Sequence, residues 1–213
     1  MDSPSGFAMV PLAEVRGSLM DVLEAARADD GVHVVVIDGT VAAGTVAAPS
    51  LDVSDPDLWR LERFPLPIVF AAAGQVAGAA LDVAVLSDIR VCETGTIFEP
   101  GPRASRRMAE LFRGEIPAGA FAAESAFAAG FVCEITERGA ALAAAVRIAS
   151  VIASRGPIAT RLAKEATWRG LRQEFEQALR FETDLTLLLQ TTKDRVEGVR
   201  AFIEKRPPIF TGE

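Results

Sequence analysis

Pro67-Ile-Val-Phe-Ala-Ala-Ala-Gly-Gln-Val-Ala-Gly-Ala-Ala-Leu-Asp-Val-Ala-Val-Leu-Ser-Asp-Ile-Arg-Val91 is the stretch on which the reading of this chain turns. From Pro67 to Leu86 it is nearly continuous apolar sequence, of the length a bilayer would require. Gly74 and Gly78 interrupt it, Gln75 and Asp82 lie inside it, and its Ile68-Val69-Phe70 start is β-rich. A buried strand that turns through glycines into a helix accounts for these features better than a membrane span. The segment thus predicts a strand over Ile68 to Ala72, a helix over Gly78 to Leu86 and a second strand over Ile89 to Cys92.

Upstream, Leu12, Val15, Leu19, Val22, Leu23 and Ala26 recur at spacings of three and four, which predicts an amphipathic helix over residues 11 to 28. Asp29-Asp30-Gly31 ends it. Val32 to Ile37 is a β-branched run of the kind buried on both faces of a parallel sheet, with His33 as a core or edge residue within it. Gly39 to Ser50, a run of small residues, reads as a loop that approaches something closely, and Asp55 to Phe64 as a short helix. Downstream, Thr96 to Phe98 is a short extended piece. Helical patterns follow over Arg103 to Phe112, Ala118 to Ala129, Gly139 to Ser154, Pro157 to Arg169, Glu174 to Gln190 and Lys193 to Glu204.

Composition narrows the chemistry. The 213 residues are 50% hydrophobic and 24% charged, enough for one domain with a core of its own. Twenty-two basic against 29 acidic side chains give −7, which disfavours nucleic acid as a partner. The single histidine argues against a His-based triad or a multi-His metal site, and Cys92 and Cys133 lack zinc-ligand spacing, so no metal is expected. The N-terminus, Met-Asp-Ser-Pro-Ser-Gly, has no signal-peptide pattern, and a cytoplasmic location without membrane association is expected. Carboxylates, backbone amides and arginines are left to act.

The Pro67 to Val91 segment resembles the central signature of the crotonase (enoyl-CoA hydratase/isomerase) superfamily, whose strand, Gly-x-x-x-Gly-Gly-Gly, helix and Cys-Asp-Ile/Leu-Arg-Ile-Ala run is matched by Gly74, Gly78 and Ser87-Asp88-Ile89-Arg90-Val91. Thr191 to Phe210, with Glu197-Gly198 and Glu204-Lys205-Arg206-Pro207, is similar to the family's C-terminal motif. Ala123-Glu-Ser-Ala-Phe-Ala-Ala-Gly-Phe-Val132 resembles a third element. The likeness covers nearly the whole chain from about residue 10, while Met1 to Val10 is too short for the family's usual first hairpin.

The resemblance implies an α/β fold, the ClpP/crotonase-like ββα spiral. One crotonase-like domain spans 1–213, with a core over about 10–155 and an all-helical trimerisation region over about 156–213. It implies acyl-CoA or another acyl-thioester as partner, homotrimer or homohexamer assembly, and no cofactor beyond the coenzyme A of the substrate itself. Two backbone N–H groups would stabilise the thioester oxyanion. By match these are Ala79, followed by Ala80 where the family has glycine, and Ala48 in a loop that lacks the family's Gly, Asp and Phe. The first family carboxylate falls on Asp82; the second falls on Pro102, with Glu99 displaced by three residues. Asp82 and Glu99 are therefore the candidate acid/base residues, and Asp82 also has a reading as a buried structural carboxylate. Efficient two-carboxylate hydration is not expected, and a non-catalytic acyl-thioester-binding or scaffold subunit is the rival reading. Arg161 and Lys164 resemble CoA-binding positions, or form a solvated basic face. Arg103, Arg106 and Arg107 share a helical turn that suits an anionic moiety or an acidic neighbouring surface.

Overall fold

The computed structural model describes residues 6–40, 53–112 and 119–213. Strand β1 (Phe7–Pro11) runs into a single 3-10 turn, Leu12–Glu14, and helix α1 begins only at Leu19 (Leu19–Arg27). The single helix expected over 11 to 28 is thus corrected. Gly17 takes φ +91°, a conformation an α-helix cannot pass through, and the Ser18 side chain caps the true helix by accepting from the Asp21 amide. Leu12 and Val15 still reach the core, from irregular backbone.

Strand β2 (Val34–Thr40) follows, with His33 just before it, and then α2 (Asp55–Glu62), opened by a reciprocal Ser54–Asp57 capping box. Gly39, expected in a loop, is a strand residue, and the Phe70 ring occupies the space its Cβ would need. Thr40 is the last strand residue, and the remainder of the small-residue run, 41 to 50, lies outside the described residues. The deciding segment folds as β3 (Ile68–Ala73), β4 (Gln75–Ala77), α3 (Gly78–Leu86) and β5 (Ile89–Glu93). Strand β6 (Ile97–Glu99) and helix α4 (Pro102–Phe112) come next.

The expectation of nearly unbroken helix beyond Arg103 needs two corrections. Strand β7 (Phe121–Ala122) precedes α5 (Ala123–Ala128), and β8 (Glu134–Thr136) precedes α6 (Ala141–Ala153). Helices α7 (Pro157–Gly170), α8 (Phe175–Gln190) and α9 (Lys193–Glu204) end the chain. Among the described residues no single helix is long and apolar enough to cross a membrane.

Two sheets organise these pieces. A five-stranded parallel sheet has the order β1-β2-β3-β5-β8, and a three-stranded sheet has the order β4-β6-β7. The packing of β2 explains why its first four residues, Val34 to Ile37, are all β-branched. Val34 and Val36 pack on the alanine face of α6 (Ala141, Ala144, Ala145, Ala149), while Val35 and Ile37 face the core shared with α1 and α3. Both faces are buried over these four residues, so none of them is free to be polar. The small sheet pairs Ala77 with Glu99 in register, and this holds the start of α3 in place.

Candidate functional site

Helix α3 presents two very different ends. Its N-terminus starts at Gly78, which takes φ +56°, and Ala77 before it supplies no side-chain cap. The first amides of a helix have no intrahelical acceptor, so the Ala79 N–H belongs to a set of donors directed off the helix end, where the dipole favours negative charge. Alanine at 79 and 80 is compatible with this turn because Gly78 alone carries the positive φ. Ala48, the other candidate oxyanion donor, lies outside the described residues.

Asp82 lies one turn into α3 and is only 7% exposed. Its Oδ2 accepts from Arg103 Nε at 3.0 Å, while Arg103 Nη1 also reaches Asp55 Oδ1 and the Val53 carbonyl, each at 3.0 Å. Desolvation pushes the Asp82 carboxyl above the usual aspartate range, against the opposing pull of Arg103. The Arg103 guanidinium is pushed further up, chiefly by its hydrogen bond to Asp55. Asp82 opens on a cleft of about 670 Å³ whose wall includes Pro102, Arg103, Leu58, Trp59 and Val85. The structure therefore brings Asp82 and Pro102 to one wall, and fills the space beside the carboxylate with a cation.

Glu99 is not in that wall. It is an exposed residue of β6 that accepts a hydrogen bond from the Gln75 side chain. Its register partner is Ala77, so it stands at the mouth of α3 rather than beside Asp82.

The C-terminal end of α3 is closed. Arg90 donates to the carbonyls of Ala84 (3.2 Å), Val85 (3.4 Å), Ser87 and Phe131, and so satisfies helix-end acceptors with one planar group. Burial pulls its pKa down to about 10, with Asp88 opposing, which leaves it protonated at neutral pH. Asp88 Oδ2 accepts the Ile68 amide and Lys164 Nζ, both at 2.7 Å, and Lys164 also donates to the Leu66 carbonyl at 2.9 Å. With a side chain only 10% exposed, Lys164 is a brace between α7 and the start of β3. Arg161 is exposed and lines a second cleft of about 510 Å³ together with Arg63 and Trp168.

Sequence reasoning missed two ionic arrangements because neither is local. Asp82 and Arg103 meet across α3 and α4. Buried Glu62, at the end of α2, accepts from both Arg107 and Arg172, which ties α4 and the α7–α8 turn to one carboxylate. Of the three arginines grouped on α4, Arg103 and Arg107 are thus committed to acids, and Arg106 has no acidic partner among the described residues.

Known proteins carry the same pattern. The sequence model of the enoyl-CoA hydratase/isomerase family matches residues 112–213. The 2,3-dehydroadipyl-CoA hydratase of Escherichia coli (strain K12) is 31% identical over 225 residues, spanning 91% of this chain and 87% of that protein. A probable mitochondrial enoyl-CoA hydratase 2 of Arabidopsis thaliana is 27% identical over 93% of this chain and 76% of its own length. Among solved structures, an enoyl-CoA hydratase from Bacillus anthracis superposes with a TM-score of 0.78 at 25% identity, covering 92% of this chain and 87% of that one. Fold, signature and these similarities agree, and the chain belongs to the enoyl-CoA hydratase/isomerase family.

Proposed function

We propose that this protein binds an acyl-CoA, or another acyl-thioester, with its carbonyl at the N-terminus of α3, and stabilises the enolate or oxyanion that develops there. The observation that carries the reading is the uncapped helix start at Gly78–Ala79 with buried Asp82 one turn behind it. Amide donors fixed at a helix end act on developing negative charge without reorganising. Ala48 would supply the second amide. Asp82, whose pKa desolvation has raised, is the acid/base residue in reach of the cleft, and Glu99 is a second carboxylate at the helix mouth. Arg161 is an exposed cation open to the phosphates of coenzyme A, whereas Lys164 is engaged by Asp88.

One-carboxylate chemistry, such as proton exchange or double-bond isomerisation, fits this arrangement better than addition of water, which calls for two carboxylates around one water. Pro102 cannot move a proton, and Arg103 occupies its neighbourhood. The same two residues favour the second reading, a non-catalytic acyl-thioester-binding or scaffold subunit. Solvent deuterium exchange at the α or γ carbon of a bound enoyl-CoA separates the two. Exchange that disappears in Asp82→Asn supports the enzyme; binding without exchange in either protein supports the scaffold. Absence of any binding by calorimetry, to short or long acyl-CoA, overturns both.

Self-assembly as a homotrimer or homohexamer belongs to the same reading. Helix α8 has no buried residue, and Phe175, Phe202 and Ile203 are 75%, 84% and 73% exposed. Apolar faces of this kind mark surfaces that another chain covers. Analytical ultracentrifugation showing only a monomer at micromolar concentration would rule assembly out.

A further inference from the structure

The cleft beside Asp82 holds more positive charge than its own carboxylates neutralise, although the chain as a whole is at −7. Its wall carries five arginines and four acids. Arg103 is taken by Asp82 and Asp55, Arg107 by Glu62 and Glu110, and Arg172 by Glu62. Every acid in the wall is therefore paired. Arg63 and Arg106 have no carboxylate partner among the described residues. The Arg63 Cζ lies over two indoles, 3.8 Å from the centre of the Trp59 ring and 5.2 Å from that of Trp168. Arg106 lies three residues beyond Arg103 on α4, about one helical turn along that helix, and lines the same cleft as Asp82.

We propose that this cleft receives an acyl chain ending in a carboxylate of its own, and that Arg106, with Arg63 across the cleft, binds that terminal carboxylate. The inference rests on the acyl-thioester reading of α3 and names the substrate class of the same site. The make-up of the cleft wall carries it, apolar surface beside Asp82 together with guanidinium groups that no carboxylate of the wall engages. From a thioester carbonyl at Ala79, the acyl chain would run toward Asp82, one turn along α3. Leu58, Val85, Leu86 and the Trp59 ring then offer apolar surface for a few methylenes. Arg106, one turn of α4 beyond the Arg103 that holds Asp82, lines the same cleft. A plain alkyl tail would cover Arg106 and Arg63 without giving them an acceptor, which costs desolvation and returns nothing. A carboxylate returns charge-assisted and, on arginine, bidentate hydrogen bonds. Sites built around a polar group discriminate strongly against the analogue that lacks it, because the site's own groups are then left unpaired. The phosphates of coenzyme A share the anionic chemistry, so the test must tell the two sources apart.

The experiment is calorimetric titration of the full chain with hexanoyl-CoA, adipyl-CoA and free coenzyme A, in wild type, Arg106→Gln and Arg106→Lys. Arg106 is exposed and has no carboxylate partner among the described residues, and circular dichroism melts of both variants check that they fold. The expected result is adipyl-CoA binding at least about tenfold tighter than hexanoyl-CoA, the weight of a hydrogen bond to a charged group. That ratio should collapse toward one in Arg106→Gln and partly return in Arg106→Lys. Equal affinity of the two thioesters in wild type overturns the proposal and leaves the acyl-thioester reading standing. A ratio that survives Arg106→Gln overturns it as well. An equal loss for both thioesters and for free coenzyme A assigns Arg106 to the phosphates and overturns it too. If neither thioester binds, the reading of α3 fails, and the proposal with it.

Discussion

The two ends of α3, a helix of nine residues, are opposite in character. At the C-terminal end, Arg90 satisfies the last carbonyls, Ser87 Oγ donates back to Val83, and Asp88 is locked between the Ile68 amide and Lys164. At the N-terminal end a positive-φ glycine starts the helix with no side-chain cap. A helix whose free donors are to meet a ligand must leave them unsatisfied, and it then needs its rigidity from elsewhere. Here the rigidity comes from the opposite end. The family signature accordingly divides into an open part, Gly78 to Asp82, and a bracing part, Ser87 to Arg90.

That division can be broken in several ways. The largest expected effect is on turnover at the open end. If Asp82 carries the proton, Asp82→Asn lowers the rate of isotope exchange about 10²–10⁴-fold, the contribution of a positioned acid or base. Its melting temperature should stay level or rise, since the variant no longer buries an ionisable carboxyl. A melting temperature that falls while exchange persists would make Asp82 a brace like Asp88.

At the closed end the effect should be on stability. Arg90→Ala leaves several carbonyls without a donor and should cost about 2–4 kcal/mol by urea denaturation. An unchanged denaturation midpoint would show that the clamp is ornamental. Gly78→Ala is the milder probe. Its Cβ would meet nothing within 4 Å, so only backbone conformation is at stake, and the left-handed region costs an alanine about 1–2 kcal/mol.

The smallest effect is a pH slope. Because the folded state holds the Asp82 proton more tightly than the unfolded chain does, stability falls as pH rises from the ordinary aspartate value, 3.8, to the raised one. The difference in unfolding free energy between wild type and Asp82→Asn, followed across that window, should reveal this slope. A slope of the opposite sign would mean that Arg103 outweighs burial.

Legibility from sequence followed locality. Helix α3 has the bounds that its glycines and apolar run predicted, and β2 is the buried run that its valines promised. The start of α1 was misplaced because Leu12 and Val15 keep helical spacing while Gly17 breaks the backbone between them and Leu19. Strands β7 and β8, of two and three residues, are too short to imprint a period on the sequence. At the site, Asp82 was recognisable by its distance from the glycine turn. Its pairing with Arg103, and the joining of Arg107 and Arg172 at Glu62, depend on how α2, α4 and α7 pack, which no spacing along the chain encodes.

The chain has two tryptophans and no tyrosine, and both indoles flank the same guanidinium, that of Arg63, at the edge of the cleft. Trp59 is 58% exposed, so water reaches one of the two rings directly. The ultraviolet emission of this protein thus originates at one place. Anything that enters the cleft and moves Arg63 or dries Trp59 should register as a change in colour or brightness, making the unlabelled molecule its own optical gauge of occupancy.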